Sequence, residues 1–302
     1  MNRARLFFRF SDIANKYRRN YRRYPNVEVV RNVPYSDIDE KYNKADLLFP
    51  KNIDKNKKLP VLLNVHGGGF VAGDKGLRIG ICRMFADNGW FVYNINYRLC
   101  HKFPAPNCSI DVINAINFLP SLGKQYNLDL DKIVLTGDSA GGYLVAHAMS
   151  SIADSHVREA LNMPQCKLKI RALMLFCGIY NFEETLSKKA PFGLIRSLGS
   201  SIMGFDIEDK EKYSSFPYIK ELSPINYVND SWPETFVSMA KKDMFCGGQG
   251  EEMAKALIKN GVKTTIYQAY TMGETHCSHL LPYKNSSKEW LKAAIIFLDT
   301  IK

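Results

Sequence analysis

Several common features are scarce in this 302-residue sequence, and each absence narrows its interpretation. No run of eighteen apolar residues occurs, so no helix is predicted to span a membrane. The N-terminal segment is not typical of a secretory signal, because Arg9 interrupts its first apolar residues and no small-residue cleavage site follows. The seven cysteines are odd in number and lack C-x-x-C spacing. They predict reduced thiols in the cytoplasm, and neither a disulfide framework nor a zinc site.

Positive charge is concentrated near the N-terminus. The formal net charge is +11, and residues 1–25 contain eight arginines and lysines against Asp12 alone. Apolar residues recur at helical spacing in the same segment: Leu6, Phe10, Ile13 and Tyr17. This pattern is typical of a basic amphipathic helix. We expect its apolar side to cover a pocket while its arginines are solvated; contact with anionic lipid or with nucleic acid are the alternatives.

Apolar stretches typical of strands alternate with segments of helical periodicity through most of the chain. Strands are predicted within 26–50 and at 59–65, 90–96, 132–136, 172–177, 235–240 and 262–267. Helices are predicted at 76–88, 107–122 and 143–153, with a turn at 127–131. The alternation favours a mostly parallel sheet with helices on both faces. Ligands of such sheets bind beyond the carboxyl ends of the strands.

Two glycine-rich motifs directly follow predicted strands. Residues 137–141 form a G-x-S-x-G box between a strand and a helix, the context of a nucleophile elbow bearing Ser139. So sharp a turn requires small neighbours, which Gly137 and Gly141 provide. Residues 67–69 are three consecutive glycines, suited either to an oxyanion hole or to an anion-binding loop. Taken alone, the first motif is also compatible with a tight βα turn that has no catalytic role.

Together these motifs resemble a known family. Residues 66–70 and 137–142 resemble the signature of the hormone-sensitive-lipase-like branch of the α/β-hydrolase superfamily, and residues 97–106 match the segment between its two motifs. The resemblance implies an α/β-hydrolase fold in a single domain, 1–302, with a mostly parallel central sheet flanked by helices. It also implies a helical cap built from about 1–25 and 180–221, the second of which includes Phe192.

The resemblance further implies roles for individual residues. Ser139 would be the nucleophile, and the N–H groups of Gly67, Gly68 and Ala140 would bind the oxyanion. Residues beside the two motifs would line the substrate pocket: Phe70, Asp138 and Tyr143.

A serine nucleophile needs a base and a carboxylate, expected in the chain order Ser, Asp or Glu, His. Asp243 follows strand 235–240 and corresponds to the family's acid, although the usual D-x-L-x-D box is degraded here. His276 corresponds to the family's histidine, and His279 is the competing candidate. No third ligand accompanies these histidines at zinc spacing, so no metal site is predicted. We expect surface or helical positions for three further histidines: His101, His147 and His156.

These residues predict a serine hydrolase that cleaves carboxylic esters of short to medium acyl chains, through an acyl-Ser139 intermediate and without a cofactor. The expected partner is a small-molecule ester. Nucleic acid is not expected, whereas residues 1–25 leave open a peripheral membrane contact. The same chemistry serves amide or formamide hydrolysis and carbohydrate deacetylation. A non-catalytic small-molecule receptor on the same fold is the alternative from another class.

Overall fold

Eight strands form the centre of the protein, seen in a computed structural model that describes residues 2–52, 54, 56–187, 193–271 and 273–302. They are β1 Val27–Pro34, β2 Lys44–Pro50, β3 Leu59–Val65, β4 Phe91–Ile95, β5 Leu128–Asp138, β6 Ala172–Phe176, β7 Glu234–Ala240 and β8 Thr264–Ala269. They lie in one sheet in the order β1-β2-β4-β3-β5-β6-β7-β8. β2 pairs antiparallel with β1 and β4, and every other pair is parallel. The predicted α/β-hydrolase fold with its mostly parallel sheet is confirmed.

The central strands are buried on both faces of the sheet, and therefore they read as continuous apolar runs. Every residue of β3 is buried. Val61 and Leu63 belong to one core cluster, whereas Leu62 between them belongs to a second cluster on the opposite face. The alternating direction of side chains along a strand thus divides one apolar run between two cores.

Helices cover both faces of this sheet. They are α1 Arg3–Asn20, α2 Ile79–Asp87, α3 Asn107–Tyr126, α4 Ala140–Ala153, α5 Ser155–Ala160, α6 Phe182–Ser187, α7 Leu194–Met203, α8 Lys210–Ser215, α9 Gln249–Lys259 and α10 Asn285–Asp299. α3, α4 and α9 pack into the first core cluster, and α2 and α10 into the second. Among the described helices, none combines the length and hydropathy that crossing a bilayer would require.

Several predicted element boundaries were wrong by a few residues, and two elements also differ in type. The helix predicted over 76–88 begins with a 3-10 turn, Lys75–Arg78, before α2. Residues 128–131, predicted as a turn, belong to β5. Leu128 and Asp129 pair with the first two residues of β3, and a register irregularity follows. Pairing with β3 therefore extends β5 toward its N-terminus, over residues whose own sequence favours a turn.

Helices α1, α6, α7 and α8 come from the two segments predicted to form a cap. α1 and α7 are joined near their ends, where Asn2 Nδ2 donates to Ser201 Oγ at 2.6 Å and the Ala4 N–H to Ser197 Oγ at 3.2 Å. Both helices contribute to the wall of one cavity at Ser139. Residues 188–192, which include Phe192 of the predicted cap, lie outside the described residues.

The face of α1 that packs on the protein is opposite to the one predicted. Its apolar stripe is exposed, with exposed fractions of 53% at Leu6, 75% at Phe10, 70% at Ile13 and 83% at Tyr17. The inward face consists of Phe8, which lies against Gly69, and of the ion pair between Asp12 and Arg19. The surface beneath α1 consists of the backbone of the glycine loop and the Arg78 guanidinium. The Phe8 ring packs on the former, and the Asp12 carboxylate attracts the latter. The apolar stripe therefore does not cover the cavity at Ser139, although two of its members, Ile13 and Tyr17, line a separate open groove beside α1.

Candidate active site

Ser139 stands on the sharp turn between β5 and α4. Its φ of 53° and ψ of −119° are angles that non-glycine residues rarely adopt. A Cβ on Gly141 would lie 2.0 Å from the carbonyl oxygen of Val65, and one on Gly137 would lie 2.4 Å from the carbonyl carbon of Gly141. The turn can therefore close only with glycine at both positions, as the sequence predicted.

Backbone strain is concentrated around this turn. Three other non-glycine residues near the carboxyl ends of the strands have positive φ: Phe70 at 64°, Cys177 at 48° and Cys277 at 55°. Such angles cost about 1–3 kcal/mol each and persist only where surrounding packing enforces them. Cys277 directly follows His276, so part of this strain fixes the direction in which the imidazole leaves the backbone.

The three residues predicted as nucleophile, base and acid come together. His276 Nε2 lies 2.9 Å from Ser139 Oγ, and His276 Nδ1 lies 2.8 Å from Asp243 Oδ2. The other oxygen of Asp243 accepts the N–H groups of Phe245 and Cys246 at 2.8 and 2.9 Å. Burial opposes ionisation of Asp243, but the hydrogen bonds from His276 and the backbone outweigh it, so its pKa lies below the ordinary value. An ionised Asp243 can hold the imidazole with Nε2 facing Ser139.

The competing histidine lies elsewhere. His279 is in a 3-10 helix, Ser278–Leu280, and its ring stacks on Phe176 with centroids 4.4 Å apart. Burial lowers the pKa of His279 to about 3. Trp290 covers it at a centroid distance of 5.2 Å. His279 is thus a neutral core residue, and its hydrogen-bonding groups do not reach Ser139.

Two buried neutral histidines are expected to make folding stability fall below pH 6.5. Burial lowers the pKa of His147, on α4, to about 4, as it lowers that of His279 to about 3. The unfolded chain, whose imidazoles keep an ordinary pKa of about 6.5, binds more protons between these values, so the native state loses stability as pH falls. Each histidine should remove about 2 kcal/mol from the free energy of unfolding by pH 5.

Urea unfolding of wild type and His147→Gln at pH 7 and pH 5 tests this expectation. The variant should lose about 2 kcal/mol less than wild type over this interval. His147 is a suitable probe because its Nε2–H donates to Glu221 O at 3.0 Å and its Nδ1 accepts from Ser109 at 2.8 Å, a pairing that fits the neutral ring. Ser155→Ala, at an exposed serine of α5, is the control and should keep the wild-type difference. Equal losses in all three proteins would contradict the prediction.

Three backbone N–H groups lie free around Ser139. Within the described residues, the N–H groups of Gly67, Gly68 and Ala140 donate to no protein acceptor. A Cβ on Gly67 would lie 3.0 Å from Ser139 Cβ, which shows how closely the glycine loop approaches the turn. Buried backbone donors without partners are rare in native proteins. These three are therefore available to an oxygen atom of a ligand.

Asp138, predicted to line the substrate pocket, has a buried partner that the sequence did not reveal. Both of its oxygens accept from Arg78, at 2.6 and 2.7 Å. Burial opposes its ionisation, yet the charge of Arg78 outweighs burial and holds the pKa of Asp138 well below its ordinary value. Asp138 does line a cleft beside Ser139, but with both oxygens engaged it anchors the turn. No local pattern links Arg78 to Asp138, because the pair bridges two distant parts of the chain.

Two cavities meet at Ser139 and His276. The apolar cavity has a volume of about 160 Å³, and its wall is mainly apolar: Phe8, Phe70, Ile179, Phe182, Leu186, Leu194, Ile195, Leu198, Ile202 and Phe245. The second cavity has a volume of about 320 Å³ and is lined partly by apolar residues such as Phe7, Phe245 and Leu281. We name it the polar cleft for the charged side chains in its wall: Asp12, Arg19, Arg78 and Asp138. Phe70 therefore lines the apolar cavity, whereas Tyr143 lies one layer behind it. The Tyr143 ring meets Phe70 edge to face at 5.1 Å, and its hydroxyl donates to Leu222 O at 2.8 Å.

Buried thiols surround Asp243 and His276. All seven cysteines are free. Two overlapping groups have donor atoms within 4.8 Å of one another: Cys177, Asp243 and His276, and Cys177, Cys277 and His279. Cysteine binds zinc as the thiolate, so a zinc site in either group would require ionised cysteines. A hydrogen bond with Cys277 favours the Cys177 thiolate, but burial opposes it and the pKa of Cys177 stays above its ordinary value. Burial holds the pKa of Cys277 well above its ordinary value, so both are neutral thiols at pH 7. No local pattern pointed to Cys177, which is remote along the chain from Asp243 and His276.

Comparison with known proteins finds relatives that are named as esterases. The family model BD-FAE matches residues 45–257. The chain is similar to two proteins of Mycobacterium tuberculosis. Its identity is 24% over 202 residues with the probable carboxylic ester hydrolase LipM, covering 67% of this chain and 45% of that protein. Its identity is 27% over 231 residues with esterase LipQ, covering 74% of this chain and 52% of that protein.

The chain thus spans about half the length of these two relatives. Among solved structures, its fold is similar to that of an inhibited esterase B from Lactobacillus rhamnosis, with a TM-score of 0.85. That match covers 99% of this chain and 95% of the other at 19% identity, so it speaks to the fold alone.

Proposed function

Because this chain belongs to the BD-FAE family of hormone-sensitive-lipase-like α/β-hydrolases, we propose that it hydrolyses carboxylic esters through an acyl-Ser139 intermediate. The observation that carries the proposal is the hydrogen-bonded series from Ser139 Oγ through His276 to Asp243. The names of the two mycobacterial relatives support an ester as the substrate class.

The reaction starts with attack of Ser139 Oγ on the ester carbonyl, while His276 Nε2 takes the hydroxyl proton. Asp243 holds the ring through Nδ1 and stabilises the imidazolium that forms. The tetrahedral oxyanion accepts hydrogen bonds from the N–H groups of Gly67, Gly68 and Ala140, and one such donor contributes about 3–4 kcal/mol to lowering the barrier. His276 then protonates the leaving alcohol, and water releases the acid from Ser139 by the same route. No step uses a cofactor.

The two cavities divide the substrate between acyl and alcohol parts. The apolar cavity of about 160 Å³ is small beside the roughly 300–1,000 Å³ of sites for drug-sized ligands. We therefore assign it to an acyl group of short to medium length. The polar cleft is wider and takes the alcohol part. Its wall includes exposed Met244 as well as the Asp138–Arg78 pair.

Hydrolysis of p-nitrophenyl esters from acetate to palmitate tests the proposal. Activity that peaks at short acyl chains and is lost on removal of the Ser139 hydroxyl supports it. A folded protein that hydrolyses anilides, formamides or acetylated sugars but none of these esters would instead support the amide or carbohydrate alternatives. Ligand binding without turnover of any of these substrates would support the receptor.

Shortening Leu198 should shift the acyl preference toward longer chains. Leu198 lines the apolar cavity and is only half-buried, so Leu198→Ala enlarges the cavity at modest cost to stability. We expect the ratio of kcat/KM for octanoate to that for acetate to rise about tenfold, the effect of one or two extra methylenes accommodated. Leu130→Ala, a half-buried leucine of β5 outside the cavity, should leave the ratio unchanged. An unchanged ratio in Leu198→Ala would place the acyl group elsewhere.

A further inference from the structure

α1 has an inner face that contacts the rest of the protein and an outer face that is exposed. Phe8 on the inner face lines both the apolar cavity and the polar cleft. The outer face presents an apolar stripe whose members are four, three and four residues apart and so lie on one side of the helix: Leu6, Phe10, Ile13 and Tyr17. All four are more than half exposed. Burying such side chains would be favourable, and within the described residues nothing covers them.

Basic residues accompany this stripe. Arg3, Arg9, Lys16 and Arg18 are exposed on the same helix, whereas its acidic residue, Asp12, is buried beneath it. The outer surface of α1 therefore combines large apolar side chains with positive charge alone. This combination is typical of helices that lie in the interface of an anionic bilayer.

The positive charge of α1 also distinguishes between the partners that could cover the stripe. A second copy of the chain packed symmetrically on the stripe would bring the same arginines and lysine face to face, and like charges repel. An anionic lipid surface accepts the apolar side chains into its acyl region and pairs each basic residue with a headgroup, at about 1 kcal/mol per basic residue.

We infer that α1 docks this protein on anionic membranes, with its apolar stripe in the headgroup–acyl boundary. The site opening would then lie beside the bilayer, because Phe7 is half exposed next to the stripe and lines the polar cleft together with exposed Met244. Docking depends only on the outer face of α1, so it stands or falls independently of the proposed ester hydrolysis.

Co-sedimentation of the full chain with vesicles tests the inference. One set of vesicles contains phosphatidylcholine only, and the other contains equal parts of phosphatidylcholine and phosphatidylglycerol. We expect wild type to bind the anionic vesicles and to be released by salt. Phe10→Ser combined with Ile13→Ser should weaken that binding at least about tenfold, because two apolar side chains no longer enter the bilayer. Arg9→Gln with Lys16→Gln should weaken it similarly and flatten the salt dependence.

The matched control is Ile258→Ser with Ile296→Ser, at two isoleucines that are also more than half exposed but lie on α9 and α10. It should bind as wild type does. All variants should keep the wild-type circular dichroism spectrum and the wild-type rate on p-nitrophenyl acetate, since none of the substituted residues lines the apolar cavity or the polar cleft.

Equal vesicle binding by the stripe variant and wild type would overturn the inference. So would the absence of binding to anionic vesicles, or a wild-type dimer in light scattering that Phe10→Ser and Ile13→Ser convert to a monomer. Ser139→Ala should bind vesicles as wild type does, which separates docking from catalysis.

Discussion

Replacing Ser139 with alanine is expected to lower kcat/KM for p-nitrophenyl acetate by about four to six orders of magnitude. The hydroxyl is the group that His276 Nε2 reaches at 2.9 Å, and without it no acyl-enzyme forms. The free N–H groups of the glycine loop still bind the carbonyl oxygen, so a small residual rate over water should remain. The fold should persist, because alanine suffers no greater strain at φ 53° than serine does.

Three comparisons make this expectation specific. Ser155→Ala, at an exposed serine of α5, should keep the wild-type rate. His276→Ala should lose nearly as much activity as Ser139→Ala, and the double variant scarcely more, because the residues act as a unit. A Ser139→Ala protein within tenfold of wild type would overturn the assignment of the nucleophile. Full additivity in the double variant would argue against coupling of Ser139 to His276.

Replacing Arg78 with methionine should lower the free energy of unfolding by about 3–5 kcal/mol, because it leaves the Asp138 carboxylate buried without a partner. Asp138 is 4% exposed and Arg78 is 3% exposed, so water cannot replace the lost contacts. Methionine keeps much of the apolar volume of the arginine stem, and the loss therefore reports mainly on charge. Urea unfolding monitored by tryptophan fluorescence measures it.

The double variant Arg78→Met with Asp138→Asn should recover most of this loss, since the buried carboxylate has then been removed. Arg196→Met is the surface control. Arg196 pairs with Asp206 at half-exposed positions, and removal of such a pair should have no measurable effect. If the single and double variants were equally destabilised, lost packing rather than an unpaired charge would be the cause.

Local sequence was sufficient for the parts of the site that depend on backbone geometry. Gly137 and Gly141 reveal the turn at Ser139 because no other residue fits against Val65 and its neighbours. The order of strands and helices followed from apolar runs, since strands buried on both faces are apolar throughout. Asp243 and His276 were found through their positions after the last strands, supported by the family resemblance.

What the sequence could not supply depends on contacts between distant segments. Periodicity in α1 identified the apolar side of the helix correctly but not the direction in which that side points, because direction is decided by the surface beneath. Arg78 and Cys177 carry no local signal of their partners. His147 was placed on a helix, but its complete burial follows from the packing of α4 against the segment containing Glu221.

Four residues at one edge of the sheet have positive φ angles: Phe70, Ser139, Cys177 and Cys277. These angles lower the folding stability but hold the groups of the proposed active site in place. A glycine at Phe70, Cys177 or Cys277 would relax the backbone, yet it would also free the loop that the strain holds in place. At Ser139 it would remove the hydroxyl itself. Selection for heat resistance alone would therefore favour changes that slow the proposed hydrolysis. Engineering for a higher Tm should spare this edge and start from exposed loops and helix termini, where stability can rise without loss of turnover.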